Sequence, residues 1–151
     1  MRRKYVAPNG VINKSTLMTA IAGLSNLIVV GKTSSGYVVG GYTGSATIPT
    51  TSTSKWLSAS NSFIFSLTTD IKYSTAYSSL NIWVNRVSSS LDLIDFGYHN
   101  ALQFEARSGL NGQVYYTTNA DFKSPPSVSE FTYYSGYNSL SNFEVWQMTY
   151  Q

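Results

Sequence analysis

The feature that most constrains the fold is the stretch of residues 36–67, in which a long polar loop separates two short apolar segments. Residues 37–39 and 63–65 have β-branched and aromatic side chains, a composition typical of strands. Side chains alternate between the two faces of a strand, so Phe63, Phe65 and Leu67 share one face. Three large apolar groups on one face need a second layer to cover them. The stretch therefore predicts the centre of a two-layer β domain, with these three side chains pointing inward.

Short strand-like segments recur along the chain, at residues 27–31, 37–42, 80–85, 101–106, 113–117 and 143–150. The first of these is apolar throughout, which predicts a strand buried on both faces, in a hairpin with the second. Asn111 and Gly112 are a strong hairpin-turn signal. Residues 44–60, 70–79 and 135–141 are polar and are predicted to be loops.

Helix signals occur near the amino terminus, where Asn13 or Ser15 can cap a short helix with Leu17, Met18 and Ile21 on one stripe. Many short strands and little helix predict a mainly β (α+β) domain. We expect a two-layer antiparallel β-sandwich with one or two short flanking helices.

The closing segment, residues 143–150, carries large side chains on both predicted faces, so we expect it to be central in a sheet or covered by the helix. Its alternation places Phe143, Val145 and Gln147 on one face and Glu144, Trp146, Met148 and Tyr150 on the other. A buried Glu144 needs a partner such as Arg86 or Arg107. Trp83 and Trp146 are interpreted as core residues.

Size and charge limit the function classes. At 151 residues the chain is expected to form a single domain over residues 5–151, after a solvated basic tail, residues 1–4. Arg2, Arg3 and Lys4 supply the whole net charge of +3, because the other seven basic side chains are balanced by seven acidic ones. A neutral body does not attract phosphate backbones, so nucleic-acid binding is not expected.

Location is predicted from what the sequence lacks. There is no apolar run after the basic head and no stretch long enough to span a membrane, and the lack of cysteine fits either compartment. The sequence therefore predicts a soluble protein without membrane insertion, intracellular and most simply cytoplasmic.

Several motifs, in this order, resemble the TLDc domain family over roughly residues 5–150. They are Gly40-Gly41-Tyr42, a Ser/Thr-rich loop, the strand with Phe63, Phe65 and Leu67, Phe96-Gly97, and a closing segment with Glu144 and Trp146. The chain departs from the family pattern with Val39 before the glycine pair, with Trp56 late in the loop and with Asn100 in place of an acidic residue.

The resemblance implies a β-sandwich and a non-enzymatic protein–protein interaction domain. It also implies links to oxidative-stress resistance and to binding of the vacuolar-type proton pump, so a pump subunit is one partner that it suggests. The family has no agreed catalytic chemistry.

Catalytic and metal sites find little support in the residues themselves. His99 is the only histidine, so a Ser-His-Asp unit must use it, but no nucleophile-elbow motif is present. Asp92, Asp95 and Glu105 could form a carboxylate pair or a calcium site, but solvated edge residues explain them better. We therefore predict no catalytic residues, no cofactor and no metal.

Two functional hypotheses remain. The first is a domain that binds a protein partner through residues 44–60 and 135–141, with Thr43, Trp56 and Tyr137 as contact residues. Of these, Trp56 is expected to be partly exposed. The alternative is a structural subunit of a repeating or multi-protein assembly, such as a filament, which binds copies of itself. Its support is the basic head and a neutral surface rich in Ser, Thr, Tyr and Asn, whose low share of charged residues, 11 %, gives weak protection against self-association.

Overall fold

A computed structural model describes residues 1–149. Two short helices, α1 (Lys14–Ile21) and α2 (Val128–Phe131), accompany the strands. The strands are β1 (Arg2–Ala7), β2 (Leu27–Thr33), β3 (Val38–Tyr42), β4 (Ser54–Leu57), β5 (Phe63–Ser66), β6 (Ile71–Ser74), β7 (Ile82–Asn85), β8 (Asp92–Phe96), β9 (Leu102–Arg107), β10 (Leu110–Tyr116) and β11 (Tyr137–Gln147).

All strand pairs are antiparallel, and they form one hydrogen-bonded path in the order β4-β7-β8-β9-β10-β11-β2-β3-β5-β6, with β1 added to β11. The long strand β11 belongs to two layers, because its first residues pair with β10 and its later residues pair with β1 and β2. An irregular register between Leu140 and Asn142 marks the crossing. We call the layer of β1, β2, β3, β5, β6 and the end of β11 sheet A, and the layer of β4, β7–β10 and the start of β11 sheet B. The predicted sandwich with short helices is confirmed.

Gly41 of sheet A and Phe96 of sheet B, which belong to two of the sequence motifs, meet between the two sheets. A Cβ atom at Gly41 would lie 2.5 Å from the Phe96 ring, so the absence of a side chain there lets this ring of sheet B pack against sheet A. Phe96 also contacts Phe104, whose ring packs on Phe143. These side chains are buried in one apolar cluster between the layers.

The face of β5 that points into the core is the opposite of the predicted one. Ile64 points into the core and is fully buried, whereas Phe63 and Phe65 are half-buried on the outer face and Leu67 is 62 % exposed. The reason is the register with β3, which pairs Ile64 with the inward-facing Gly41 and Phe65 with Gly40. The strand itself is confirmed, but its apolar face was assigned to the wrong side.

Residues 2–4 are not a loose tail, although the Arg2 and Arg3 side chains are exposed. Arg2, Arg3 and Lys4 belong to β1, which pairs with β11 from Arg2↔Gln147 to Ala7↔Phe143. Strand β2 is also buried on one face only, since Ile28 and Val30 on its outer face are half-exposed. The prediction of burial on both faces was wrong.

Three predicted loops contain strand. Residues 44–60 include β4 and bury Ile48 completely, residues 70–79 include β6, and residues 135–141 include the start of β11. The β9–β10 turn lies at Ser108 and Gly109, three residues before the predicted one. Gly112 instead lies within β10, where a Cβ atom would meet the Ile12 side chain at 2.6 Å.

The helix prediction near the amino terminus is confirmed. Asn13 caps α1 by accepting a hydrogen bond from the Thr16 backbone N–H at 3.0 Å. Leu17, Met18 and Ile21 are the buried residues of the helix. The chain then leaves the helix through Gly23, which has a φ of 72°.

Candidate binding surface on sheet B

A single line of cross-strand neighbours crosses the outer face of sheet B and joins two residues that the sequence predicts to contact a partner. The line begins at Trp56 in β4 and ends at Tyr137 in β11. Its members, each paired with the next, are Trp56, Trp83, Asp95, Gln103, Tyr115 and Tyr137, which we call the cross-sheet row. Five strand spacings make the row about 24 Å long.

The β4 end of the cross-sheet row is an aromatic cluster. The Trp56 ring lies 5.2 Å from the Trp83 ring and 6.3 Å from the Tyr98 ring, centroid to centroid. Tyr98 in turn stacks on Tyr77 at 5.2 Å and is 45 % exposed. Both tryptophans are half-buried, so the partial exposure expected of Trp56 is confirmed and the core position predicted for Trp83 is wrong.

The other end of the row consists of tyrosines. The rings of Tyr115 and Tyr137 lie 5.2 Å apart, and Tyr137 is 56 % exposed. The Tyr137 hydroxyl donates to Glu105 Oε1 at 3.4 Å, while Gln113 Nε2 donates to Glu105 Oε2 at 2.8 Å. Glu105 thus links the side chains of β9, β10 and β11 at this end of the row.

The middle of the row contains a buried carboxyl group. Asp95 is 1 % exposed, and neither of its oxygens has a hydrogen-bond partner among residues 1–149. Burial, with the nearby Asp92 and Glu105 adding to it, raises the pKa of Asp95 to about 9. At neutral pH this group is therefore protonated and uncharged, so the interpretation of Asp95 as a solvated edge residue is wrong.

Asp92 differs from Asp95 in having partners that favour its charge. Burial and Glu105 raise the pKa of Asp92, and this rise is partly offset by Lys14 and by a hydrogen bond from Trp83. Lys14 is itself fixed, since its Nζ atom donates to the carbonyl oxygens of Val87, Ser90 and Asp92 at 2.6–2.9 Å. Asp95 is thus the neutral member of the row, while Asp92 and Glu105 lie beside it on the neighbouring cross-strand pair.

His99 lies beside the aromatic cluster and is oriented by a carboxylate that the sequence did not suggest. Asp121, which is fully buried, accepts from His99 Nδ1 at 2.7 Å and from the His99 backbone N–H at 2.9 Å. Gly97, with a φ of 103°, leaves room for Asp121, because a Cβ atom at Gly97 would lie 2.8 Å from that of Asp121. No local sequence signal links two residues this far apart.

The His99–Asp121 pair occurs without a nucleophile in the described contacts. Each hydrogen bond of His99 runs to Asp121, and the ring packs against Tyr98 and Tyr77. No cluster of three metal-ligating side chains occurs among residues 1–149. In the same residues, neither helix has the length and apolar content needed to cross a membrane.

Other residues singled out in the sequence lie elsewhere. Thr43 is fully buried and its Oγ1 accepts from the Leu27 backbone N–H at 3.0 Å, so it is not accessible to a partner. Glu144 is bound by Arg3 at 3.8 Å, where the sequence suggested Arg86 or Arg107, and by Trp146 Nε1 at 2.7 Å. The face of β11 with Glu144 and Trp146 is the outer face of sheet A, so the core position predicted for Trp146 is wrong. Tyr150, predicted to share this face, lies outside the described residues.

Comparison with known proteins supports the order of motifs seen in the sequence. A comparison with curated proteins gave no match. The model of one family, the TLDc domain, matches residues 3–149, which is nearly the whole chain. The matched range includes most of β1 and the closing strand β11, so it covers both layers of the sandwich. The chain therefore belongs to the TLDc domain family.

Proposed function

We propose that this TLDc domain is a non-enzymatic protein-interaction module whose partner binds across the outer face of sheet B. The observation that carries the proposal is the cross-sheet row, which joins Trp56 and Tyr137 through four intervening strands. Its length of about 24 Å is close to the width of a standard interface, which buries about 800 Å² on each partner.

The composition of the row favours a protein partner. Tyrosine and tryptophan offer large, rigid contact areas and are enriched among the residues that dominate interface energies. Tyr98 and Tyr137 are exposed at the two ends, whereas the carboxyl group of Asp95 between them is neutral. Asp95 is already buried, so a partner that covers the row meets no exposed charge at Asp95 itself.

A catalytic role finds less support. His99 and Asp121 have the geometry of a base and its orienting carboxylate, but nucleophilic catalysis also needs a hydroxyl or thiol held by the base. The hydrogen bonds described for His99 run to Asp121 only. We therefore assign the pair to positioning the loop under the aromatic cluster, with no cofactor.

The partner class follows from the family. The TLDc resemblance implies stress resistance and binding of the vacuolar-type proton pump, so a pump subunit is the first partner to test. An intracellular, cytoplasmic location is part of this proposal.

The test is capture of a partner from an extract of the source cells, followed by affinity measurements with variants. Y98S and Y137S remove exposed side chains from opposite ends of the row, and we expect each to weaken binding about tenfold or more. I71S, a change at the exposed edge strand β6 of sheet A, is the control and should bind like the wild type. Equal binding by all three variants would contradict the proposal.

The alternative, a subunit of a repeating assembly, is favoured by one further observation. Strands β4 and β6 end the hydrogen-bonded path, and each is paired along one edge only. Such edges can pair with another copy of the chain. Light scattering over a wide concentration range separates the two functions, because a monomer at every concentration rules out the assembly.

A further inference from the structure

The outer face of sheet A carries a second apolar surface, separate from the cross-sheet row. A groove of about 460 Å³ lies over the end of β11 and over β2, β3 and β5. Its apolar lining, which we call the sheet A groove, includes Ile28, Val30, Val38, Phe65, Leu67 and Trp146. Leu67 is 62 % exposed and the other five are half-buried.

The shape of the groove follows from one glycine. Cross-strand pairing puts Glu144, Val30, Gly40, Phe65 and Lys72 in one line across the face. Gly40 has no side chain in the centre of this line, and a Cβ atom there would lie 2.6 Å from the Phe65 ring. The Phe65 ring therefore lies over the Gly40 backbone, in space that a side chain on β3 would otherwise fill. Three strand spacings give the groove a width of about 14 Å, slightly more than the diameter of an α-helix.

The charges around the groove are mainly positive. Lys32 lines the groove and Lys72 is the cross-strand neighbour of Phe65. The acid at the groove edge, Glu144, is already bound by Arg3 and Trp146. Lys32 and Lys72 are exposed, and within residues 1–149 neither forms an ion pair. Lys72 lies 5.0 Å from the centroid of the Phe63 ring, at the far side of the same face.

We infer that the sheet A groove binds an amphipathic helix of a partner protein whose apolar stripe is flanked by acidic side chains. The stripe covers Val30, Phe65 and Leu67, as a helix covers the apolar face of a sheet in a layered domain. Acidic residues on the flanks of the helix lie opposite Lys32 and Lys72. A second copy of the chain placed face to face is disfavoured, because it brings the same cationic side chains against the first set.

The inference is tested with a labelled peptide of about 18 residues, long enough to form a helix, with a leucine stripe and glutamates on both flanks. Binding is followed by fluorescence polarisation. We expect L67D, and the double variant K32E/K72E, each to weaken binding about tenfold or more. L110D and K55E change an exposed leucine and an exposed lysine elsewhere, and they should stay within about twofold of the wild type.

Four results would overturn the inference. They are equal binding of a peptide with the same stripe and lysine flanks, unchanged binding by L67D, concentration-dependent dimers that L67D abolishes, and binding of anionic vesicles without binding of the peptide. The substituted side chains are exposed, and unchanged thermal unfolding confirms that the variants are folded. L67D and K32E/K72E change side chains of sheet A only, so the failure of this inference is distinguishable from failure of the partner site proposed on sheet B.

Discussion

Replacement of Asp95 by Asn is the sharpest test of how the centre of the cross-sheet row is built. Asp95 is 1 % exposed, and burial together with Asp92 and Glu105 raises its pKa from 3.8 to about 9. Between these two pH values the folded protein holds a proton that the unfolded chain has released. The stabilising contribution of Asp95 is therefore fully present below about pH 4 and is lost as the pH rises towards 9.

The size of the effect follows from the same linkage. Each pH unit between the two pKa values lowers the free energy of unfolding by about 1.4 kcal/mol through this one group. From pH 4 to pH 7 the loss is about 4 kcal/mol, a large part of the 5–15 kcal/mol typical of a domain. D95N keeps the shape of the side chain without an ionisable group. We predict that the stability of D95N relative to wild type increases by this amount over that range.

Urea unfolding followed by tryptophan fluorescence at pH 4, 5, 6, 7 and 8 measures this difference. The slope against pH is the informative quantity, because a fixed offset from imperfect packing of the amide does not change it. D70N, at an exposed carboxyl group, is the matched control and should differ from wild type by less than about 0.5 kcal/mol throughout. A D95N difference that is flat across these pH values would refute the description of Asp95 as buried and protonated.

Three further stability changes follow from the packing and are measurable by the same unfolding assay. G41A introduces a Cβ atom against the buried Phe96 ring and should destabilise the domain by about 3 kcal/mol. D121A leaves a backbone N–H without its acceptor and should cost about 2 kcal/mol, whereas H99A, at a side chain that is 56 % exposed, should cost less than about 1 kcal/mol. Removal of the first four residues takes away part of β1 and should cost about 1–2 kcal/mol, more than R3A, which breaks a half-exposed ion pair worth less than about 1 kcal/mol. The contacts described would be contradicted if D121A and H99A had equal effects, if the deletion and R3A had equal effects, or if G41A had none.

The sequence was sufficient for the sandwich and for the helix, because both depend on local signals. Residues 27–31 and 63–65 have the β-branched and aromatic side chains that favour strands. Asn13 caps α1 by a hydrogen bond within the first turn of the helix. Which face of β5 points into the core depends instead on its pairing with a strand that is distant in sequence. Phe63, Phe65 and Leu67 alternate as a core face would, but the register with Gly40 and Gly41 decides which face is inside.

The candidate surface could not be predicted from the sequence, because it depends on the order of the strands in sheet B. Trp56 and Tyr137 were singled out separately, as residues of two polar segments. The order β4-β7-β8-β9-β10-β11, which puts them on one row, is not encoded in any local pattern. Asp121 and the burial of Asp95 were missed for the same reason, since long-range pairing creates both environments.

The most direct test of the central claim is photocrosslinking at both ends of the cross-sheet row. A photoreactive phenylalanine derivative is introduced at Trp56 in one variant, at Tyr137 in a second and at Ile71 on sheet A in a third. We predict that the first two capture the same partner from an extract of the source cells and that the third does not. Different partners at the two ends of the row, or the same partner at all three positions, would contradict a single binding surface across sheet B.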